Sequence, residues 1–328
     1  MNVTANPLPL TRPMDSSPVN GGNPLRIAVL VPCYNEAITV AKVIEDFRAA
    51  LPQAEICVFD NNSNDDTAAI ARRHGARVQQ VGLQGKGHVV RRLFADVEAD
   101  LYLLVDGDDT YHAASAPALI EHAHNGRHDM VVAVRKAQGE AAYRRGHVLG
   151  NQMLTGFLGW LFGRPCKDIL SGYRVFSRRF VKSFPVLSEG FEIETELTVH
   201  ALELKMAVGE LDTPYGERPE GSVSKLSTYK DGWRILRTMI RLFSAERPLA
   251  FFSLIGAMLA VTATAISIPL LLTYVDTGLV PRFPTAILVT GMMVLAALSF
   301  FAGLILDTVT RGRRELKMLA YLRERAPG

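Results

Sequence analysis

The sequence predicts an α/β fold, with a Rossmann-like, mostly parallel sheet followed by an amphipathic interfacial helix and a two-helix transmembrane hairpin. Three observations carry this reading. Short β-branched runs alternate with helix-spaced segments between Arg26 and about Val134. Polar, carboxylate-rich stretches follow the ends of several of those runs. Two long uncharged apolar stretches occupy the C-terminal third.

Residues 1–24 are rich in Pro, Asn, Ser and Gly and read as a disordered tail without the basic start and apolar core of a signal peptide. An α/β domain is expected over 25–228. Ile27–Val31 is its first strand. Glu36–Leu51 follows at helical spacing, with Val40, Val43, Ile44 and Phe47 on one face. Glu55–Phe59 is the second strand, and Asp65–His74 a helix whose first turn is acidic, as the helix dipole favours. Arg77–Val81, Leu101–Val105 and Met130–Val134 read as further strands, with Lys86–Val97 a helix between the first two. In such sheets ligands bind beyond the carboxyl ends of the strands, so Tyr34-Asn35-Glu36, Asp60–Ser63 and Asp106–Asp109 should converge on one crevice.

The C-terminal third changes character. Residues 229–247 form an amphipathic segment, with Trp233, Leu236, Met239, Ile240 and Phe243 on one helical face and Arg234, Arg237 and Arg241 on another. That pattern suits a helix lying on anionic headgroups. Two spans follow within 248–310, about 248–274 and 283–307, each longer than the roughly 20 residues that cross a bilayer. Lys225, Lys230, Arg234, Arg237, Arg241 and Arg247 precede the first span, and Arg311, Arg313, Arg314, Lys317, Arg323 and Arg325 follow the second. Only Arg282 lies in the turn between them. The positive-inside rule then puts the globular domain, both termini and a basic tail over 311–328 in the cytoplasm, in a multi-pass protein of the cytoplasmic (inner) membrane.

The overall charge excludes little. The 36 basic and 33 acidic residues leave a net +3, too mild to argue for a nucleic-acid partner. Cys33, Cys57 and Cys166 have no CxxC spacing and read as small buried hydrophobes in a reducing compartment. His122, His124 and His128 lack a supporting Cys or carboxylate pattern and read as a polar helix end, not a metal site.

In "VDGDDTY", Asp106 and Asp108 form an Asp-x-Asp pair. In an extended segment both carboxylates face one way, toward one Mg²⁺ or Mn²⁺; the plain structural alternative is a solvated acidic turn or a helix cap. Asp109 reads as turned aside. "GLQGKGHVVRR" sets Lys86 between two glycines before a helix, a close-approach geometry suited to phosphate or ribose.

Taken in order, "VPCYNE", "FDNNSNDDT" and "VDGDDTY" resemble a family 2 glycosyltransferase of the GT-A fold, in the subgroup of dolichyl-phosphate mannose synthases and polyprenyl-phosphate glycosyltransferases. The resemblance implies that Pro32, Tyr34, Asn35, Glu36, Asp60, Asn62, Ser63, Lys86 and Asp106 bind the nucleotide, and that Asp106 and Asp108 hold the metal. The Asp60-Asn61-Asn62-Ser63 run departs from the commoner Asp-Asp-Gly-Ser, and Thr110-Tyr111 stands where the family often has a glutamine shortly after the acidic pair. "LSGYRVFSRRF" looks like the acceptor segment, with Arg174 on phosphate. "GFEIETEL" supplies Glu194; its three glutamates, spaced two apart, cannot share one helical face. "ERPEGSVSKL" resembles a closing loop, with Arg218 and Lys225 countering phosphate charge.

The implied catalytic set is therefore Asp108, Arg174, Glu194, Arg218 and Lys225. The Gln-x-x-Arg-Trp motif of processive synthases is absent, which favours single sugar transfer. The implied activity is inverting, metal-dependent transfer of one hexose from a nucleotide-sugar to an undecaprenyl- or dolichyl-type polyprenyl phosphate in the bilayer. A uridine nucleotide is favoured and GDP-mannose is the runner-up. Two other readings are another lipid or protein acceptor, and a catalytically silent nucleotide-binding scaffold. Oligomeric state stays open, with a homo-oligomer among the options because membrane hairpins often associate.

Overall fold

The computed structural model describes residues 25–137, 145–163, 166–187, 192–216, 219 and 228–325. The expected N-terminal tail, together with Arg218 and Lys225, lies outside the described residues.

Seven strands form one sheet. They are β1 (Ile27–Cys33), β2 (Glu55–Asp60), β3 (Arg77–Gln80), β4 (Leu101–Leu104), β5 (Met130–Ala137), β6 (Arg174–Ser177) and β7 (Val208–Tyr215), in the order β3-β2-β1-β4-β6-β5-β7. Among them only β6 runs against its neighbours, β4 and β5; the other pairings are parallel. The five expected strands appear within a few residues of their expected ends. The two that the sequence reading did not assign have evident reasons. Segment β6 sits inside the stretch read as an acceptor loop. Segment β7 carries Glu210, Asp212 and Pro214 on an edge that is only half-buried, so it lacks an apolar run.

Both faces of the sheet are covered. On one lie α1 (Val40–Ala50) and α4 (Ala116–Asn125); Val40, Val43, Ile44 and Phe47 of α1 pack with Val29, Val31 and Val58. On the other lie α3 (Lys86–Asp96), α6 (Arg178–Ser183) and α7 (Ile193–Glu203), with Leu93, Phe94, Phe180 and Leu197 against Leu30, Tyr102 and Phe176. The helix α2 (Thr67–Arg73) supports the β2 end. Strand residues alternate between the two cores, as the pleat requires.

A third cluster joins α5 (Arg145–Phe162) to α7 and to α8 (Thr228–Glu246). Here the expected amphipathic face of α8 is divided. Met239 and Phe243 pack on α5, while Trp233, Leu236 and Ile240 are exposed. From α5, Met153 and Trp160 are exposed beside them.

Two apolar helices follow, α9 (Pro248–Thr277) and α10 (Phe283–Arg323), with mean hydropathy 2.1 and 2.3 in their most apolar windows, each 11% buried. They make a hairpin long enough to cross a membrane. Small residues set their contact: a Cβ on Gly256 would lie 2.8 Å from the Ala296 carbonyl oxygen. The expected basic tail is a difference from the sequence reading. It is the continuation of α10, whose last three turns lie against the α/β domain. There Tyr321 donates to Asp129 (2.8 Å), Arg179 stacks over the Tyr321 ring (4.6 Å), and Lys317 pairs with the wholly buried Glu203 (2.6 Å). These basic side chains are taken up by buried carboxylates as well as by solvent. Hydropathy shows only where the apolar window ends, so it placed the helix end too early.

Candidate active site

The crevice is built at the carboxyl ends of β1, β2 and β4. After β1 the chain enters Asn35, whose φ of 53° turns it sharply; its backbone N–H donates to Ser63 Oγ (2.9 Å) and its Oδ1 accepts from the Asn64 N–H (2.8 Å). Ser63 is in turn bound to Asp60, donating through Oγ (2.5 Å) and through N–H (3.2 Å). The Glu36 N–H donates to Thr67 Oγ1 at the start of α2. Asn35, Asp60 and Ser63 therefore form one hydrogen-bonded rim, with Glu36 held beside it through Thr67. Pro32 and Tyr34 sit half-buried within it.

Asn61, which sequence reasoning passed over in favour of Asn62, is buried beside Asp60 in this rim. Its amide donates to Leu83 O (2.7 Å) and its carbonyl accepts from the Gly85 N–H (2.7 Å). It thereby ties the end of β2 to the loop before α3. Asn62 is exposed at φ 58°, with its amide on Gly82 O (2.6 Å). The one available clue was compositional: two adjacent asparagines after a strand mark a turn, though not which of them takes the left-handed region.

The acidic edge follows β4. Asp108 is buried, and its Oδ1 accepts from Thr110 Oγ1 (2.6 Å) and the Thr110 N–H (3.3 Å). Thr110 thus orients a carboxylate of the expected pair. Asp109, at φ 56°, turns away and pairs with Lys42 (2.8 Å). Asp106 lies against the backbone of the Ser171-Gly172 turn, where a Cβ on Gly172 would come within 2.5 Å of its Oδ2, so any larger residue there would push the Asp106 carboxylate aside. The Gly172 N–H donates to the Tyr111 hydroxyl (2.9 Å).

Into this edge reaches Lys86. Its ammonium lies 2.5 Å from Asp106 Oδ1 and 2.5 Å from Glu194 Oε1, and it is only 10% exposed. Burial pulls this ammonium down, but Asp106 and Glu194 outweigh burial and hold it well above the ordinary lysine range. The three glutamates at the start of α7 diverge: Glu194 points into the crevice, whereas Glu196 accepts the Leu187 N–H (2.9 Å).

Arg174 is elsewhere. Its guanidinium is wholly buried beneath the crevice, donating to Ser171 O (2.8 Å), Thr198 Oγ1 (2.8 Å) and Ile169 O. The expectation that it contacts phosphate does not match this geometry; it fixes the turn that carries Gly172. A cation the sequence reading missed stands closer to the opening. Arg135, near the end of β5, is gripped by Asp168 through two hydrogen bonds (2.7 and 2.8 Å) and lies over the Tyr215 ring (5.4 Å). Its signal in the sequence was a basic residue at a strand's carboxyl end.

Cys33 is buried below Gly107, and burial pushes its thiol well up, so it stays protonated. His122 and His128 stack with ring centroids 4.9 Å apart, and among the described residues no group of three His, Cys, Asp or Glu is arranged for a metal. A cation at Asp106 and Asp108 would complete its shell with substrate oxygens, the usual arrangement for Mg²⁺ bound by one or two carboxylates and a diphosphate. The hard-oxygen donors fit such an ion.

The profile of Glycosyl transferase family 2 matches residues 28–183, which span β1 to α6. The chain is 34% identical over 253 residues to the glycosyltransferase AglJ of Haloferax volcanii, covering 76% of this chain and 82% of that one. It belongs to glycosyltransferase family 2. A second relative in the same archaeon, a dolichyl-phosphate hexose transferase, is 27% identical over 222 residues (67% of this chain, 95% of that one). A crystal structure of Mycobacterium tuberculosis glucosyl-3-phosphoglycerate synthase with Mn²⁺, uridine diphosphate and phosphoglyceric acid superposes with a TM-score of 0.54. The identity is 22%, over 67% of this chain and 78% of that one, and the likeness places the domain in the GT-A fold. This family 2 glycosyltransferase thus has its candidate crevice at the ends of β1, β2 and β4 of that fold.

Proposed function

We propose that the protein transfers a single hexose from a nucleotide-sugar to a polyprenyl phosphate at a membrane surface, with inversion at the anomeric carbon. The observation that carries this reading is the paired acidic edge of Asp106 and Asp108, set in a crevice on a domain that runs directly into an apolar hairpin. The dolichyl-phosphate hexose transferase among its relatives supports the acceptor class. The uridine diphosphate and Mn²⁺ held by the glucosyl-3-phosphoglycerate synthase favour a uridine nucleotide, ahead of GDP-mannose.

A phosphate monoester is already ionised at neutral pH, so it attacks the anomeric carbon without a strong general base. One acceptor oxygen forms the new bond to C1 as the bond from C1 to the diphosphate breaks, and the nucleoside diphosphate departs with the electron pair. The protein's task is positioning and charge stabilisation. Asp106 and Asp108 would hold Mg²⁺ or Mn²⁺, which neutralises the leaving diphosphate. The Asn35–Ser63 rim with Pro32, Tyr34, Glu36 and Asn62 binds base and ribose. Glu194 and Lys86 set the charge of the crevice floor. Arg135, with Arg218 and Lys225, counters the phosphate charges that would otherwise repel. Arg174 contributes through the Ser171-Gly172 turn.

The apolar side chains exposed on α5 and α8 would seat the domain at headgroup level, with Arg247 donating to Leu161 O (2.9 Å) where the two helices meet the hairpin. The domain would lie on the cytoplasmic side.

The test is transfer of labelled sugar from UDP-glucose or GDP-mannose into the lipid fraction of vesicles containing undecaprenyl phosphate. Asp108→Ala should reduce turnover by about two to three orders of magnitude, the scale for losing transition-state charge stabilisation. Equal turnover for both proteins, with and without divalent cation, would sink the reading. A product that survives mild acid would instead favour another acceptor.

A further inference from the structure

Asp106, Glu194 and the buried Asp108 concentrate negative charge at the crevice floor, and the positive group among them belongs to the protein itself. Lys86 Nζ bridges Asp106 Oδ1 and Glu194 Oε1 at 2.5 Å each. The placement is built. Gly85, at φ 132°, starts α3 one residue before Lys86, and Asn61 pins the Gly85 N–H. The side chain is 10% exposed and Glu194 8%, while Asp106 is 28% exposed, so the bridge is shielded on the lysine side and open at the carboxylate a cation would reach. An ammonium on Asp106 competes directly with a divalent cation for the same oxygen.

We infer that Lys86 is a tethered counter-ion that keeps the acidic edge closed to metal until a nucleotide diphosphate arrives. Without a donor, the ammonium satisfies both carboxylates, and a divalent cation gains only what remains at Asp108. When the diphosphate enters, its negative charge draws Lys86 away from Asp106 and frees that oxygen for the cation. Donor and cation therefore bind as a unit, and a cation alone binds weakly. The inference rests on the donor reading above, and it assigns Lys86 as a positioning residue that controls metal loading rather than as a plain nucleotide contact.

The experiment measures Mn²⁺ binding to the full chain in detergent micelles, from the electron paramagnetic resonance of free Mn²⁺, without nucleotide. Wild type is compared with Lys86→Met, Lys86→Gln and Lys86→Arg, each checked by thermal melting. Two neutral replacements are used so that a folding defect in one leaves the other as the readout. Either neutral variant should bind Mn²⁺ at least about tenfold tighter than wild type, because a unit charge in contact with a ligand oxygen has been removed. Lys86→Arg should stay at the wild-type value. A purely structural role for Lys86 cannot raise affinity, so a gain supports the inference, and no gain in both neutral variants overturns it.

A second arm titrates uridine diphosphate, and then guanosine diphosphate, into wild type with and without Mn²⁺. If Mn²⁺ strengthens nucleotide binding but the neutral variants gain no Mn²⁺ affinity, the tethered counter-ion falls while the donor reading stands. If neither nucleotide binds with Mn²⁺ present, both fall.

Discussion

Replacing Arg174 with methionine separates a buried strut from a substrate contact. The side chain has no solvent access, and its three donors hold the carbonyls of Ile169 and Ser171 and the hydroxyl of Thr198, a residue of α7. Burial lowers the affinity of this guanidinium for its proton, with Glu194 and Asp168 working the other way, and an arginine stays charged regardless. Methionine matches the stem but supplies no donor. Leaving those buried acceptors without their charged donor costs on the order of 3–5 kcal/mol in all, a fifth or more of the stability of a typical domain. For a domain of this size that lowers the melting temperature by roughly 10 °C. Differential scanning fluorimetry in detergent measures it. Because Gly172 and the floor beneath Asp106 belong to the same turn, kcat should fall as well. A variant that melts with wild type yet loses acceptor binding would refute the reasoning and return Arg174 to the phosphate.

Two further outcomes follow from neighbouring groups. Arg135→Lys keeps a positive charge but loses the two-pronged grip on Asp168; the KM for the proposed polyprenyl-phosphate acceptor should rise about tenfold with the donor KM unchanged. An unchanged acceptor KM would remove Arg135 from the site. His200 lies between Phe180 and Phe184 with Nε2 3.2 Å from Ser183 Oγ, and burial, then the charge of Lys317, pushes its imidazole down to about 3. The unfolded chain takes up that proton near pH 6.5 and the folded one only near 3. Its contribution is therefore complete above pH about 6.5 and is lost as pH falls toward 3, at roughly 1.4 kcal/mol per pH unit across the window. His200→Gln should flatten the acid side of the stability curve in denaturant titrations between pH 7 and 4; parallel curves for the two proteins would contradict this.

The parts of the fold that could be read from the sequence were those with a one-dimensional signature. Ile27–Val31 and Leu101–Val105 are apolar because both of their faces are covered, and the Val40-Val43-Ile44-Phe47 stripe has a single buried face. Strand β7 had no such signature, because an edge half-open to solvent tolerates Glu210 and Asp212. At the site, the residues on strand ends could be read from position alone. Distances between segments could not. That Lys86 meets Glu194 across 108 positions of chain, that Arg174 turns inward, and that Arg135 faces Tyr215 depend on how α7 and β6 pack. The division of labour between Asn61 and Asn62 depends on a single backbone torsion, which composition cannot supply.

The uninterrupted run of α10 has a mechanical meaning. Its 41 residues extend about 60 Å at about 1.5 Å per residue, from the hairpin turn to the foot of the sheet, where Tyr321 meets Asp129 at the end of the strands opposite the crevice. A flexible tether would let the domain bob and swivel over a lipid surface. A helix that runs unbroken from the hairpin to the domain acts as a gauge rod: with the hairpin in a membrane, it would set the standoff of the crevice from the bilayer and its heading at the same time. That standoff changes only in helical steps, since one inserted residue both lengthens the rod and rotates its far end by about 100°.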